Sequence, residues 1–233
     1  MGRIFVTGDK HGCFSFLPKF CQEKQTTKED LLIILGDAGI NFYLNKTDKK
    51  LKQYISHFPI TLFCVHGNHE ERPQNISTYK AKYFDEYKCC CWYEEEFPNI
   101  LFPFNGAAII NEKLFFIIGG AYSIDKNYRL EAGFPWFESE QLTNLEKECI
   151  LLMLEGKGTF DYILSHTAPL NYEPTYLFLD CIDQSTVDKS MEIFLQKVCD
   201  NIDFKNWYFA HYHDDKYLGN NFTIFLNSIK EIL

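Results

Sequence analysis

Long apolar runs are missing from this chain. Leu31 to Leu35 and Leu114 to Ile118 hold five residues and the longest, Cys149 to Leu154, holds six, against the roughly twenty that a membrane helix needs. A spanning helix is excluded, and no membrane partner is expected. Arginine is scarce, with only Arg3, Arg72 and Arg129. Positive charge is in deficit overall: 23 basic against 32 acidic residues leave a net charge of −9. That disfavours a general phosphate-backbone binder, so no long nucleic acid is expected as a partner. A small phosphorylated substrate, a nucleotide included, remains compatible, because a bound metal can invert the local field. No C-x-x-C pair occurs among the nine cysteines, and their number is odd. Free thiols in a reducing compartment are the simplest reading. Met1–Gly2–Arg3 runs straight into Ile4–Phe5–Val6 without a signal-peptide core, and Val6 stands where a myristoylation signal wants Ser or Thr. A cytoplasmic location is the expectation. Oligomeric state leaves no mark in the sequence.

What the chain does have is ordinary globular material. Hydrophobic residues make up 46% and aromatics 17%, with 22 Phe and 14 Tyr, which argues against disorder. A chain of 233 residues can bury a large core without disulfide staples. No repeat, linker or low-complexity stretch divides it, so a single domain over 1–233 is expected. The Cys89–Cys90–Cys91 triplet reads as small filler in a strand. Adjacent strand residues point to opposite faces and cannot easily grip one ion.

The first seventy residues alternate short apolar runs with helical patterns. Arg3 to Thr7, Leu31 to Leu35 and Ile60 to Val65 read as buried strands. Phe14 to Glu23, with Pro18 in its first turn, and Lys49 to Phe58 read as helices. Strand, helix, strand, helix, strand is the pattern of parallel α/β units. The middle suggests antiparallel hairpins at Cys90 to Tyr93, Gly106 to Ile110 and Leu114 to Ile118. Residues 120–138 show no period and read as a long functional loop. Ser139 to Leu154 is expected as a helix capped by Ser139, with Leu142, Leu145, Cys149 and Leu152 along one face. Thr186 to Cys199 is expected as another. Strands at Tyr162 to Leu164 and Trp207 to Ala210 precede a hairpin through Gly219–Asn220–Asn221.

The seven histidines stand at 11, 57, 66, 69, 166, 211 and 213. Five strands end in metal-ligand residue types: Gly8–Asp9–Lys10–His11–Gly12, Gly36–Asp37, Gly67–Asn68–His69–Glu70, Ser165–His166 and His211–Tyr212–His213. Ligand sites of α/β sheets lie beyond the carboxyl ends of the strands, so the clusters would converge on one crevice. Imidazole and carboxylate together suit Mn, Fe, Zn or Ni rather than calcium. The i, i+2 spacing of Asp9/His11 and His211/His213 aims two side chains to one side of an extended backbone. Taken alone, an Asp after Gly is a turn residue, and a lone strand-end His is structural more often than it is a ligand. Five such clusters in succession are harder to explain that way. His57 lies on a polar-rich helix and reads as solvated, and His66 as a supporting residue.

GDKHG, GD, GNHE, SH and HYH, in that order over residues 8–213, resemble the calcineurin-like metallophosphoesterase pattern. The resemblance implies an α/β fold: a four-layer α/β/β/α sandwich of two mixed β-sheets flanked by helices. It also implies a dinuclear centre of two divalent transition-metal ions. Asp9, His11 and His213 would hold one ion and Asn68, His166 and His211 the other. Asp37 would bridge them, and His69 would assist the leaving group. A pair of ions about 3.5–4 Å apart can bind the phosphoryl oxygens and share a hydroxide that attacks phosphorus in line.

Two departures stand out. The second block usually reads GDxxD, and the last Asp orients the catalytic His in many members. Here Ile40 occupies that place, and Asn41 is the adjacent substitute. Ala210 stands where the last block usually has Gly. The Asp-Arg-Gly run of the protein Ser/Thr phosphatases is replaced by Ile40–Asn41–Phe42, which disfavours that branch. Gly119–Gly120–Ala121–Tyr122–Ser123, followed by Tyr128–Arg129–Leu130, resembles bacterial and phage-type members. Arg72 and Arg129 are candidates for gripping phosphate oxygens. The expected function is hydrolysis of a phosphomonoester or small phosphodiester. The alternatives are a non-catalytic metal-binding scaffold of the same fold and a protein Ser/Thr phosphatase-like enzyme.

Overall fold

A computed structural model describes residues 2–233. The strands are β1 (Ile4–Thr7), β2 (Leu31–Ile34), β3 (Thr61–Cys64), β4 (Lys80–Phe84), β5 (Cys89–Glu94), β6 (Phe97–Pro103), β7 (Gly106–Ile110), β8 (Lys113–Ile118), β9 (Phe160–Ser165), β10 (Phe204–Phe209), β11 (Lys216–Gly219), β12 (Phe222–Ile224) and β13 (Lys230–Glu231). The α-helices are α1 (Leu17–Lys24), α2 (Lys46–Ser56), α3 (Lys126–Ala132), α4 (Asn144–Leu154) and α5 (Ser190–Cys199). One sheet runs β13-β1-β2-β3-β6-β5-β4 and the other β11-β12-β10-β9-β8-β7. Both are mixed. β1, β2, β3 and β6 pair in parallel, as do β8, β9, β10 and β12, and antiparallel strands finish each edge.

The central strands are apolar on both faces, as strands covered on both sides must be. Period-two alternation sorts their side chains into different layers. Ile4 and Val6 of β1 join Leu31, Ile33, Phe115, Ile117 and Leu164 in a core between the two sheets. Phe5 points the other way, onto Leu17, Phe20 and Ile55 of α1 and α2. Phe116, Ile163 and Trp207 of the second sheet pack on α4 and α5. The result is helices, sheet, sheet, helices: the expected four-layer α/β/β/α sandwich. Cys89 and Cys91 are buried on one side of β5, in keeping with the filler reading.

Four sequence expectations need correction. α4 starts at Asn144 rather than near Ser139, because Thr143 and Glu146 form a reciprocal capping box that satisfies the first backbone donors. Ser139 lies in a short 3₁₀ turn, Glu138–Glu140. The buried side of α4 is Ile150 and Leu154, while Leu145 and Leu152 face solvent. α5 starts at Ser190, after a separate 3₁₀ turn at Gln184–Thr186. The stretch 120–138 is not all loop, since it contains α3. That helix buries Arg129 alone, so it has no apolar stripe for a periodicity argument to find.

No helix among the described residues is long and apolar enough to cross a membrane.

Candidate metal centre

The carboxyl ends of β1, β2, β3, β9 and β10 meet at one edge of the sandwich, and each releases one of the chemical clusters. The backbone there is tightly folded. Two glycines are required by close approach. A Cβ on Gly36 would sit 2.1 Å from His166 Nδ1, and one on Gly67 would sit 2.0 Å from Asp37 Oδ1. His11, Asp37, His211 and His213 all adopt positive φ, from 43° to 66°. Non-glycine residues in that region cost of order 1–2 kcal/mol each. Such strain is characteristic of sites that the surrounding structure forces into shape.

Two sets of donor atoms converge. In the first, Asp9 Oδ2 lies 3.1 Å from His213 Nε2 and 3.7 Å from His11 Nε2. The two imidazole Nε2 atoms are 3.1 Å apart. Asp9 Oδ2 is buried and has no partner with hydrogen-bond geometry. In the second, Asn68 Oδ1 lies 2.8 Å from His166 Nε2 and 3.1 Å from His211 Nδ1. Asp37 stands between the sets. Its carboxylate clusters within 4.8 Å both with Asp9 and His166 and with His11 and His69. Asp9, Asp37, Asn68 and His166 are buried, whereas His11 and His213 open to solvent.

This donor set fits cations. His166 Nδ1 lies 2.7 Å from the Leu35 carbonyl, which can only accept, so Nδ1 carries the hydrogen. Neutral His166 then presents a lone pair at Nε2 to the amide oxygen of Asn68, and two acceptors face one another. Either a proton or a metal ion must lie between them. The charges agree. Burial alone would raise the Asp37 carboxyl, but the neighbouring His166, His69 and His11 hold it well below its ordinary value. Burial likewise opposes ionisation of Asp9, and the nearby imidazoles of His11 and His213 overcome it. Burial disfavours charge on His166 too, yet Asp37 and Asp9 push it up to about 9. His211, buried and beside His166, is pushed down to about 3, so it stays an unprotonated donor. Two buried carboxylates demand nearby positive charge, which a divalent ion would supply in place of the His166 proton.

Asn68 is held from behind. Its Nδ2 donates to Ser123 Oγ at 2.9 Å. The Ser123 hydroxyl spends its own hydrogen on Glu140 Oε2 and accepts a second bond from Arg129 Nη1 at 3.1 Å. Trp136 Nε1 completes the network on Glu140 at 2.8 Å. The hydroxyl can therefore only accept from Asn68, which turns the amide oxygen toward His166 and His211. Sequence reading missed Ser123 and Glu140. Ser123 entered only as the end of the Gly119–Ser123 stretch, and Glu140 fell in the first turn of the helix expected from Ser139.

His69 donates its backbone N–H to Asp37 Oδ1 at 2.8 Å. Ile40, where an orienting acid was expected, is buried in the core between the first sheet and its helices. Asn41 does not take its place, because its Oδ1 accepts from Tyr79 Oη at 3.0 Å. The carboxylate nearest the imidazole comes from elsewhere: Asp125 Oδ1 lies 4.0 Å from His69 Nε2. Burial is the main reason that the His69 pKa is lowered.

The arginines sit differently from expectation. Arg72 ion-pairs with Glu146 and donates to the Gln141 carbonyl at 2.7 Å. It borders a separate cavity lined also by Trp92 and Leu145, because α4 offers it a carboxylate there. Arg129 lies behind Asn68, tied to Ser123 and to the Pro135 carbonyl at 2.9 Å. Neither lines the cavity at the donor sets. That cavity, about 450 Å³, is bordered by His11, Asp37, Asn68, His69, His211 and His213. His57 is exposed at the end of α2, and His66 is mostly buried beside β8 with both ring nitrogens unpartnered.

The family model for calcineurin-like phosphoesterases matches residues 2–215. The chain belongs to that family, and it is a phosphoesterase enzyme of a class that works with divalent metal ions. No curated protein matches its sequence. Among solved structures, phosphopantetheinyl hydrolase from Mycobacterium tuberculosis superposes with a TM-score of 0.47 at 13% identity, over 96% of this chain and 87% of that one.

Proposed function

We propose that the protein, acting as one domain over residues 1–233, hydrolyses a small phosphomonoester or phosphodiester at a centre of two divalent ions. The observation that carries this reading is the pair of convergent donor sets with Asp37 between them. Asp9, His11 and His213 would hold one ion, Asn68, His166 and His211 the other, and Asp37 both. Bound there, two ions supply positive charge to phosphoryl oxygens and acidify water. Nitrogen and oxygen donors of this kind suit Mn, Fe, Zn or Ni.

The protein's own residues do the rest. The Leu35 carbonyl and Ser123 fix the donor atoms of His166 and Asn68, so little reorganisation is needed when charge develops. Asn68 adds no negative charge to its site. His69 borders the cavity, held through its backbone by Asp37, and hands a proton to the departing oxygen. Asp125 lies close enough to steady the imidazolium form. Nucleotides remain among the candidate substrates.

Purified protein supplied with Mn²⁺, Fe²⁺, Zn²⁺ or Ni²⁺ is expected to cleave p-nitrophenyl phosphate or its bis ester, and Asp37→Asn is expected to abolish this. No turnover of either ester with any of the four ions would defeat the proposal.

A further inference from the structure

The cavity extends well past the donor atoms. Its far wall is formed by the segment that leads into α5, with Leu177, Phe178 and Ile182 on its apolar side. A phosphoryl group held at the metal end would leave its alcohol portion in this recess. Four carboxylates border the cavity beyond the metal-ligand residues, Asp125, Glu173, Asp188 and Glu192, against one ammonium, that of Lys189.

Three of these carboxylates have partners. Glu173 is paired with Lys189 at 2.6 Å. Asp188 accepts from Gln141 Nε2 at 3.0 Å and from the Ser190 N–H at 2.8 Å. Asp125 faces Arg129 at 3.7 Å and His69 at 4.0 Å. Glu192 differs. It is 4% exposed, and Thr167 Oγ1 donates to its Oε1 at 2.7 Å, but its Oε2 is buried with no partner. A buried acceptor without a donor is costly, and one in a cavity wall is relieved by a ligand that brings the donor.

We infer that the recess around Glu192 selects the leaving group, favouring phosphoesters of alcohols that combine an apolar segment with a neutral or cationic hydrogen-bond donor and rejecting those with an anionic end. This rests on the hydrolase reading above. The apolar wall buries the carbon segment, the Glu192 carboxyl takes the donor, and the surplus of carboxylates repels a second anion.

The test is a series of alkyl phosphates of matched length ending in methyl, hydroxyl, ammonium or carboxylate, assayed at pH 8.5, where the Glu192 carboxyl is ionised, by phosphate release on the metal-loaded wild-type enzyme. The hydroxyl and ammonium esters are expected to exceed the carboxylate ester about tenfold to a hundredfold in kcat/KM, with methyl between. In Glu192→Gln, with its metal content verified, the ammonium-to-carboxylate ratio is expected to shrink toward one. Equal kcat/KM across the series in the wild type would overturn the inference and leave hydrolysis intact, as would an unchanged ratio in Glu192→Gln. Failure to hydrolyse any of the series or p-nitrophenyl phosphate would strike the hydrolase reading instead.

Discussion

Ser123→Ala probes the network behind Asn68 most directly. Ser123 is 1% exposed and accepts from Asn68 Nδ2 and Arg129 Nη1. Removing the hydroxyl strands both donors in a place closed to water. An unsatisfied buried donor costs about 1–3 kcal/mol and a charged one more, so the loss is about 3–5 kcal/mol. Folded domains have about 5–15 kcal/mol in reserve, so the variant stays folded, with its melting temperature lower by roughly 6–20 °C. The functional consequence is more specific. Without Ser123 the Asn68 amide is free to rotate or flip, and its oxygen is no longer aimed between His166 and His211. Loss of such a supporting partner costs about 10–100-fold in metal affinity. Of the two ions proposed, only the one assigned to Asn68, His166 and His211 should weaken, because Asp9, His11 and His213 do not touch Ser123. Titration calorimetry with Mn²⁺ on the metal-free protein reads this as one site of wild-type affinity and one weakened. Two sites of wild-type affinity in a destabilised variant would show that the network supports the fold and does not orient Asn68.

Other expectations follow from single contacts. Gly67→Ala puts a methyl carbon into the Asp37 carboxylate; the folded protein should retain less than a tenth of the wild-type metal by mass spectrometry, about the loss seen when a supporting contact to a ligand is destroyed, and full occupancy would refute the close approach. Asp125→Asn should slow hydrolysis of alkyl phosphates, whose leaving group needs a proton, more than that of p-nitrophenyl phosphate; equal slowing of both would remove Asp125 from any role through His69. Burial pushes the Glu192 carboxyl from 4.5 to about 7, so between those values the folded chain holds a proton that the unfolded chain releases. Its favourable contribution is full below pH 4.5 and is lost as pH rises through 7, a change of about 3 kcal/mol. Glu192→Gln should therefore gain stability relative to wild type in urea melts at pH 8 but not at pH 4, and parallel pH dependence of the two proteins would contradict this. Saturating Mn²⁺ should raise the melting temperature, since an ion at a hundred times its Kd adds about 2.7 kcal/mol, and chelator should reverse the shift.

Much of the architecture was legible in the order of the residues. The apolar runs at β1, β2 and β3 needed cover on both faces, and their spacing left room only for parallel crossovers. The strand-end clusters were legible for a related reason: the polar residue after a buried parallel strand is delivered to the sheet edge wherever the rest of the chain goes. Helix starts were less so. Ser139 and Thr143 are both good caps, and only Glu146, three residues after Thr143, favours the second. The face of α4 depended on what it would lie against.

What the sequence by itself determined, then, is local: which segments are buried strands, which residues follow them, and hence which carboxylate, amide and imidazole side chains gather at the strand ends. Tertiary structure decided everything that depends on which segments become neighbours. It turned Arg72 to Glu146 and Arg129 to Ser123, away from the cavity. It brought Asp125 to His69 where Ile40 had gone into the core, and set Glu192 in the wall of the recess with one oxygen unpaired. Periodicity along a chain records burial, because burial repeats with the geometry of the element. The partner of a single charged or polar side chain leaves no repeat, and it is fixed only when distant segments pack.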